Sequence, residues 1–370
     1  MSEWKECRLG EICSRLSSGK NISATKIQKT GTYPVFGGNG LRGYTNELNF
    51  IGECSIIGRQ GAFCGNVRYF KGKAYMTEHA VIVCADQNND THYLSYLLST
   101  MQLGSLSSQS AQPGISVKTL SNLKIPLPPL DTQRKIASIL SALDDKIELN
   151  RRMNENLNQI IIAYYHNMFN NCKCSATIND YASKIFSGGT PSTSNENYWN
   201  GNYKWLSSGE TSQKFIVETE KTITKEGIQN SSTRLASKYD TVIASAGQGH
   251  TRGQTSMLFA DSYVNQSIIV IDSEMKYMPF IFYNISRRYD DLRTISHSNS
   301  IRGSLTTKMI AKLSAPQVDE RYIIEFSEFA WPIIYQIEKA CIENINFAAL
   351  RDTLLPKLMR GEIDVENVRV

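Results

Sequence analysis

The chain has 370 residues, of which 41% are hydrophobic and 20% charged, and it carries a net charge of +5. This composition excludes a disordered or collagen-like chain, and the length suffices for two domains with separate cores. No apolar run reaches the roughly 18 residues of a membrane span, and residues 1–7 lack the basic and apolar regions of a signal peptide. We therefore expect a cytoplasmic protein, not associated with membranes, whose charge permits a polyanionic partner without requiring one.

Short strands are predicted in the first part of the chain, up to a pair of prolines. Apolar runs at 54–58, 80–84 and 123–129 are separated by glycine and asparagine turns. Asp131 then forms a predicted helix N-cap. A seam with steps of three and four residues follows at Ile136, Leu140, Leu143, Ile147, Asn150, Asn154, Leu157, Ile161, Tyr164 and Met168. This heptad pattern predicts one helix over 131–169, roughly 60 Å long, which needs a packing partner beyond its own domain.

The second part of the chain repeats this succession of strands and helix. Apolar runs at 240–245 and 267–271 predict strands. A second seam follows Asp319, at Phe326, Ala330, Ile333, Ile337, Ala340, Asn344 and Ala348. We expect the two long helices to pack antiparallel, with Asn150 and Asn154 fixing their register at a cost in stability. Pro332 lies inside the second seam and predicts a kink or a division into two helices.

Residue correspondences indicate that the two parts are copies of one unit. One constant shift along the sequence carries Gln60 onto Gln248 and Pro128 onto Pro316. A smaller shift carries Ser14 onto Ser183, so the second copy holds about nineteen extra residues before Gln248. The period of this duplication is far longer than that of a solenoid repeat. The sequence therefore predicts a duplicated domain with pseudo-two-fold symmetry.

The common catalytic motifs are absent from the sequence. Residues 17–20 end like a P-loop without its first glycine, and residues 38–40 lack the third glycine of a dinucleotide site. The five histidines have no metal-ligand spacing. The eight cysteines include a single close pair, Cys172 and Cys174, and predict buried thiols. We therefore predict a binding protein that has no catalytic residues and no metal.

Three further segments match a known family. Trp4-Lys5 and Leu9-Gly-Glu-Ile12 lie near the start, and residues 125–136 read Ile-Pro-Leu-Pro-Pro-Leu-Asp-Thr-Gln-Arg-Lys-Ile. Residues 350–363 contain Leu-Pro-Lys-Leu-Met-Arg-Gly-Glu-Ile, the most specific of the three. With these segments the chain resembles, over essentially its whole length, the specificity (S) subunit of type I restriction-modification systems. The second junction, at 315–321, departs from the family's pattern because it lacks the double proline.

The resemblance implies an α+β fold. Two β-rich α/β target-recognition domains would be separated by two long antiparallel, coiled-coil-like helices, with a pseudo-two-fold internal duplication. The predicted boundaries are 1–128 for the first recognition domain, 129–172 for the first helical spacer, 173–315 for the second recognition domain, and 316–370 for the second spacer and the C-terminal tail.

The resemblance also implies a function. Each recognition domain of an S subunit reads one half of a bipartite, asymmetric target in double-stranded DNA, and the helices set the spacer between the halves. The implied partners are two methyltransferase (M) subunits and two restriction (R) endonuclease-translocase subunits. No cofactor is expected on this chain, because S-adenosylmethionine, ATP and Mg are used by the partner subunits.

Candidate contact residues follow from the chemistry of DNA readout. Base edges are read by Arg, Lys, Asn or Gln side chains at loop tips, and phosphates by cations and free backbone N–H groups. The glycine-rich loops present in both copies are the best places for such groups. The predicted DNA contacts are Asn39, Arg42, Arg59, Gln60, Arg68, Ser207, Ser208, Lys214, Gln248, His250, Thr251, Arg252 and Arg302. The predicted contacts with the methyltransferase subunits are Lys135, Arg151, Arg152, Ile160 and Tyr164.

Two alternatives belong to other functional classes. A stand-alone DNA-binding or adaptor protein would have polar outer helix faces, whereas Ile160–Ile162 with Tyr164 and Tyr165 places apolar groups on more than one face. A nuclease or methyltransferase acting alone would need a metal or cofactor motif, and none is found in the sequence. Activity of the purified chain on DNA would revive the second alternative.

Overall fold

The computed structural model of the chain describes residues 4–107, 114–247, 249–298 and 303–365. The chain divides into two compact units: unit 1 comprises Met1–Lys146 with Phe347–Val370, and unit 2 comprises Ile147–Asn346. Both boundaries fall inside long helices. Each unit therefore contains one β-rich domain and part of each long helix.

Unit 1 is built on a twisted sheet with one helix packed across it. Its strands are β1 (Lys5–Arg8), β2 (Cys13–Ser18), β3 (Tyr33–Gly37), β4 (Gly40–Thr45), β5 (Phe50–Gly58), β6 (Val67–Met76), β7 (Ala80–Ala85) and β8 (Lys124–Leu127). Its short helices are α1 (Thr91–Thr100) and α2 (Val117–Ser121). The main sheet has the order β2-β7-β5-β6-β3-β4, with β3 parallel to β6. Strand β7 is central and buried because Ala80–Val83 is a continuous apolar run between two neighbours.

Helix α3 (Leu130–Phe169) follows β8 and leads into unit 2. The strands of unit 2 are β9 (Ala176–Thr177), β10 (Lys184–Ser187), β11 (Trp199–Leu206), β12 (Phe215–Ile216), β13 (Lys221–Ile223), β14 (Arg234–Ala236), β15 (Thr241–Ala244), β16 (Thr255–Leu258), β17 (Ser262–Val264), β18 (Ile268–Asp272) and β19 (Ser314–Ala315). Its short helices are α4 (Lys225–Gln229), α5 (Met278–Ser286), α6 (Tyr289–Ser298) and α7 (Thr307–Ala311). The strands form two main sheets, β10-β18-β15-β16-β12 and β13-β11-β17-β14.

Strand pairing confirms the duplication and corrects its alignment. Strands β10-β18-β15-β16 of unit 2 have the order of β2-β7-β5-β6 of unit 1. The pair Ile57 and Val81 in unit 1 corresponds to Ile243 and Ile269 in unit 2. Val81 and Ile269 are related by the predicted shift, whereas the shift from Ile57 to Ile243 is smaller by two, because the loop after β15 is longer than the loop after β5. The predicted constant shift therefore holds at β7, while β5, which precedes Gln60, follows a smaller shift.

The junction before the long helices also differs from the predicted alignment. Cys7 pairs with Ile125 in unit 1, and Ala176 pairs with Ala315 in unit 2. Ile125 therefore corresponds to Ala315, and Pro316 corresponds to Pro126. The predicted equivalence of Pro316 to Pro128 was wrong.

The two long helices are α3 and α8 (Glu320–Met359), each of 40 residues. Within unit 2 they run antiparallel, since Asn150 lies against Asn344 whereas Tyr164 lies against Glu325. Within unit 1, Asp144 of α3 pairs with Arg351 of α8. The periodic residues of both helices face each other and the domain cores, as the heptad pattern predicts. Since most of these residues are hydrophobic, the seam is largely apolar.

Helix α8 continues through Pro332, so the predicted division into two helices was wrong. Pro332 is exposed, while the neighbouring residues Ala330 and Ile334 are buried in the seam. Proline lacks an N–H and therefore leaves one carbonyl of the preceding turn without its usual donor. Packing of the adjacent apolar residues maintains the helix across this position.

Candidate nucleic-acid interface

A cleft of about 610 Å³ lies between the β3–β4 turn and the β5–β6 loop of unit 1. Three predicted contact residues, Asn39, Arg42 and Gln60, line this cleft together with Phe63 and His79. All three predicted side chains are exposed. Amide and guanidinium groups are the side chains that form paired hydrogen bonds with adenine and guanine edges. The fold thus brings together polar groups from two loops that are about twenty residues apart in sequence.

A tight hairpin turn presents Asn39 and Arg42. Gly37 pairs with Gly40, so Gly38 and Asn39 form a two-residue loop. Gly40 has a φ of 92°, in the left-handed region that favours glycine. A Cβ atom on Gly37 would lie 2.7 Å from Cδ of Arg42. The glycines therefore allow the Arg42 side chain to lie across the turn.

The β5–β6 loop has an anchored backbone and exposed side chains. The Gly58 N–H donates to the Asn66 carbonyl at 2.9 Å, and the Gly65 N–H donates to the Gly58 carbonyl at 2.8 Å. Gly61 has a φ of 78° and completes the turn. Gln60 is exposed at the tip of this loop. Because the backbone is held at both ends, Gln60 is presented with little freedom of the main chain.

Arg59 and Arg68 lie outside the lining of this cleft. The Arg59 guanidinium donates to Ser18 Oγ at 3.5 Å, and its side chain is half-buried. Arg68 is exposed on β6, and its guanidinium lies 3.1 Å from the position of a Cβ atom on Gly40. Arg68 also lines a second cavity, of about 600 Å³, with Asn66 and Gln102. It is therefore placed beside the cleft, where a cation is suited to a phosphate group.

Unit 2 contains a corner equivalent to the β3 end of unit 1. Strand β11 runs parallel to β17 with Leu206 beside Val264, as β3 runs parallel to β6 with Phe36 beside Met76. The Asn265 N–H donates to the Leu206 carbonyl at 3.2 Å, the counterpart of a 2.9 Å bond from Thr77 to Phe36. The predicted residues Ser207 and Ser208 follow β11 directly. They occupy the position that Gly37 and Gly38 occupy in unit 1.

The loop after β15 separates an inward arginine from outward polar residues. Arg252 is buried, with 8% exposure, and its guanidinium donates to the Gly303 carbonyl. His250 is exposed and Thr251 is half-buried. The burial of Arg252 gives it a role in holding the loop, in place of the predicted presentation to DNA. The direction of this side chain depends on a partner 51 residues away, which no local pattern reveals.

Helix α6 supports this loop with two residues that the sequence analysis missed. The Tyr289 hydroxyl donates to the His250 carbonyl at 2.7 Å. The Arg293 guanidinium donates to the Gly249 carbonyl at 2.6 Å. These contacts fix the loop from one side. In unit 1 a 3-10 turn, Leu103–Leu106, follows α1. It lies against the β5–β6 loop, since a Cβ atom on Gly65 would be 2.2 Å from the Gly104 nitrogen.

The remaining predicted DNA contacts are Gln248, Arg302 and Lys214. Gln248 and Arg302 are outside the residues that the structure describes. Lys214 is half-buried and lines a separate small cavity with Tyr165 and Tyr283. Burial lowers the pKa of Lys214. The structure therefore does not bring Lys214 together with Ser207 and Ser208.

The profile of the family described as type I restriction modification DNA specificity domain matches residues 1–159 and 176–316. The two matches together cover well over half of the chain, and each contains one β-rich domain. The chain belongs to this specificity family. The duplicated recognition fold and the long helices are therefore features of a family member.

Curated specificity subunits and a solved structure resemble this chain. The specificity subunit of the Escherichia coli type I restriction enzyme EcoprrI is 43% identical over 146 residues, which cover 38% of this chain and 36% of that subunit. The match thus spans about a third of that relative's length. Another Escherichia coli type I specificity subunit is 26% identical over 338 residues, covering 85% of this chain and 83% of that subunit. The crystal structure of the type I restriction-modification S subunit from M. genitalium covers 96% of both chains, with a TM-score of 0.65 and 17% identity, and shows the same fold.

The predicted partner contacts of this specificity-family chain fall into exposed and packed groups. Arg151 and Arg152 are exposed, and both pair with Glu148, whose pKa their hydrogen bonds lower to about 2. Ile160 is 49% exposed. The Tyr164 ring packs at a tilt against the Phe329 ring of α8, with ring centroids 4.0 Å apart, and Tyr164 therefore belongs to the helix seam. Lys135 is half-buried in unit 1.

Gln133, one of the residues that carried the family resemblance, has a structural role. Its side chain is buried, with 1% exposure. The Oε1 atom accepts a hydrogen bond from the Asp90 N–H at 2.9 Å, and Nε2 donates to Asn89 Oδ1 and to the Pro128 carbonyl. These bonds join the start of α3 to the start of α1. A buried amide of this kind is stabilising only when all its bonds are made.

The described part of the chain has neither a membrane-spanning helix nor a metal-binding group of side chains. Among residues 4–107, 114–247, 249–298 and 303–365, no helix is long and apolar enough to cross a membrane. Across the same ranges, no three His, Cys, Asp or Glu side chains are grouped so that they could hold a metal ion.

Proposed function

We propose that this chain is the DNA sequence-recognition subunit of a type I restriction-modification complex. Each β-rich domain reads one half of a bipartite, asymmetric target in double-stranded DNA. The long helices set the spacer between the two halves and bind the methyltransferase subunits. The chain itself has no catalytic role in this scheme.

The recurrence of one polar corner in both units carries the proposal. In unit 1, Asn39, Arg42 and Gln60 share a cleft beside the end of β3. In unit 2, Ser207 and Ser208 follow the equivalent strand end, and His250 is exposed on the loop after β15. The strand end is equivalent in the two units, while the residues that follow it differ, with a tight hairpin turn in unit 1 and a 3-10 turn, Ser208–Ser212, in unit 2. Such an arrangement is suited to reading two different half-sites.

Buried asparagines support a spacer role for the helices. Asn150 Nδ2 donates to Asn344 Oδ1 at 3.0 Å and to Glu343 Oε2 at 3.2 Å. Asn154 Nδ2 contacts Cys341 Sγ at 3.4 Å. Polar pairs within an apolar seam destabilise alternative helix registers, because a shift of one helix along the other would leave the polar groups without partners. A fixed register suits a subunit that sets the distance between half-sites.

Exposed apolar residues support docking of the methyltransferase subunits on the helices. On α3, Leu149, Met153 and Ile160 are 59%, 40% and 49% exposed and share one face at spacings of four and seven. On α8, Tyr335 and Ile342 are 46% and 40% exposed at a spacing of seven. Exposed apolar stripes on a helix are typical of protein interfaces.

The remaining partners and cofactors belong to the same proposal. Two methyltransferase subunits use S-adenosylmethionine to methylate adenine, and two endonuclease-translocase subunits use ATP and Mg. No site for these groups is assigned to the present chain, which acts in the cytoplasm as the component that determines where the complex binds.

Methylation mapping tests the proposal directly. The chain is expressed with its neighbouring methyltransferase, and methyl-adenine is located in the host DNA by single-molecule sequencing. The control host expresses the methyltransferase without the chain. We expect a new bipartite motif, with both half-sites and the spacer visible at once. Absence of a new motif from a complex that assembles would contradict the proposal.

A further inference from the structure

A small cavity of unit 2 gathers positively charged side chains. Its volume is about 70 Å³, and its lining includes Lys214, Arg287 and His166 together with Tyr165 and Tyr283. Among the described residues that line it, none is an Asp or a Glu. The space holds about two water molecules, at roughly 30 Å³ each. It is thus large enough for a single small polar group.

Neither Lys214 nor Arg287, the two main basic side chains of this cavity, has a counter-charge among the described residues. Lys214 Nζ lies 5.8 Å from the centre of the Phe282 ring, and Arg287 Cζ lies 5.1 Å from the centre of the Tyr165 ring. Within the described residues, neither side chain forms an ion pair or donates a hydrogen bond. The charge of a half-buried lysine is costly unless an anion is present. The pKa of Lys214, lowered by burial, agrees with such an incomplete site.

The equivalent cavity of unit 1 contains its own carboxylates. Helix α5 follows β18 as α1 follows β7. Aligning their first residues, Met278 and Thr91, places Tyr283 at the position of Tyr96. The unit 1 cavity, of about 310 Å³, is lined by Tyr96, Asp144, Arg351 and Asp352. Arg351 Nη1 donates to Asp144 Oδ1 at 2.6 Å, and Arg351 Nη2 donates to Asp352 Oδ1 at 2.7 Å. The cation of unit 1 is therefore neutralised within the chain.

The same helix position explains why unit 2 lacks this neutralisation. Helices α3 and α8 have equal lengths, so aligning Leu130 with Glu320 places Ile162 at the position of Asp352. Ile162 lines the unit 2 cavity. The same alignment places Ile161 at the position of Arg351. Helix α3 thus supplies the unit 2 cavity with neither the cation nor the carboxylate of unit 1, and the cations of that cavity, Lys214 and Arg287, come from outside the helix.

We propose that the Lys214–Arg287 cavity is a docking site for a carboxylate side chain of a partner protein. An Asp or Glu side chain supplies the missing charge and reaches a recessed cavity through its flexible stem. A phosphate of duplex DNA is bulkier and sits on a stiff backbone, so it reaches the half-buried Lys214 less well. The inference rests on the proposed function only in requiring a protein partner.

The first test uses the chain alone. Its melting temperature is measured as acetate replaces chloride at constant pH and ionic strength, with inorganic phosphate as a second probe. We expect acetate to raise the melting temperature, and Lys214→Met to weaken acetate binding about tenfold or more. Lys225→Met, which alters an exposed lysine of the same unit, is the matched control and should retain the full response. Arg287→Gln, at an exposed residue, serves as the second variant in case Lys214→Met does not fold.

The outcomes separate the possibilities. Equal melting temperatures in acetate and chloride would overturn the site. Stabilisation by phosphate alone would overturn the carboxylate assignment. In the assembled complex, Lys214→Met should weaken retention of a protein subunit while leaving DNA affinity unchanged, and the reverse result would identify a DNA phosphate as the ligand. Because the acetate response needs neither partner nor DNA, it can succeed even if the methylation experiment fails.

Discussion

Gln60 is placed so that its substitution can change DNA binding without changing the stability of the fold. Its side chain is exposed in the unit 1 cleft, and its loop is held by backbone hydrogen bonds that do not involve the side chain. Gln60→Ala should therefore leave stability unchanged and cost about 1 to 3 kcal/mol of binding free energy at one half-site. Binding to duplexes altered at one half-site at a time measures this effect.

The control for Gln60 is another exposed glutamine of the same domain. Gln87 is exposed but does not line the cleft. Gln87→Ala should bind every duplex like the unaltered chain. An equal loss at both half-sites for Gln60→Ala would argue against its assignment to the first domain.

Arg252 illustrates the opposite case, in which a predicted contact residue supports the fold. Removing its guanidinium leaves the buried Gly303 carbonyl without this donor. Arg252→Met should lower the free energy of unfolding by about 1 to 3 kcal/mol. His250→Ala, at an exposed neighbour, should leave it nearly unchanged. Urea denaturation compares the two variants, and an unaltered midpoint for Arg252→Met would refute the structural role.

Asp240 predicts a pH dependence of stability. It is buried, with 1% exposure, and desolvation raises its pKa from 3.8 to about 7, with nearby Asp261 and Asp272 adding to the shift. Its Oδ2 accepts the Ser237 N–H, while Oδ1 has no partner. In the unfolded chain the Asp240 carboxyl loses its proton near its ordinary pKa of 3.8. The folded state therefore favours the protonated form, and this contribution to stability is lost as the pH rises from about 4 to about 7.

Substitution of Asp240 isolates this contribution. Asp240→Asn keeps an acceptor for Ser237 but cannot ionise. Its free energy of unfolding should fall less than that of the unaltered chain over the same pH interval. Denaturant titrations across the interval measure the difference, and parallel pH profiles for the two proteins would contradict the prediction.

At the scale of the helices, Asn150 and Asn154 have different environments. Asn150 has an amide partner in Asn344, whereas the Oδ1 atom of Asn154 is buried without a partner. Asn154→Leu should therefore stabilise the protein by about 1 kcal/mol. Asn150→Leu should not stabilise it, because this substitution leaves Asn344 without its hydrogen-bond partner. Thermal unfolding of both variants tests this contrast.

The effect on register is measured separately. If the asparagines fix the helix register, replacing both by leucine should broaden the range of spacer lengths that methylation mapping detects. An unchanged spacer preference would show that other contacts fix the register.

The two long helices and several strands were predictable because their patterns are local, whereas the short helices α1, α2 and α4 to α7 were not predicted. The seam of α3, from Ile136 to Met168, follows from steps of three and four residues, and no residue of that seam is exposed. The course of α8 through Pro332 was not predictable, since packing of Ala330 and Ile334 outweighs the local preference of proline. The longer loop after β15 was also hidden, because the strand that follows each loop keeps the predicted shift and only the strand before it does not.

For the whole molecule, the proposal predicts that the two recognition domains act independently. Gln60 belongs to unit 1 and His250 to unit 2. The binding losses of Gln60→Ala and His250→Ala should therefore add to within about 0.5 kcal/mol in the double variant. Duplexes with both half-sites intact measure this sum. A much smaller loss in the double variant would mean that the two residues contact one shared half-site.

The duplication, the two long helices, several strands and the family follow from the sequence alone. These features depend on periodicity and on motifs of neighbouring residues, which can be recognised without knowledge of tertiary contacts. Only the tertiary structure decided which polar side chains face outward. Asn39 and Gln60 meet in one cleft, Arg252 turns inward to Gly303, and Lys214 lies in a separate cavity, because each direction depends on partners distant in sequence. Long-range contacts, which no local pattern encodes, separate the candidate readers of DNA from the residues that hold their loops.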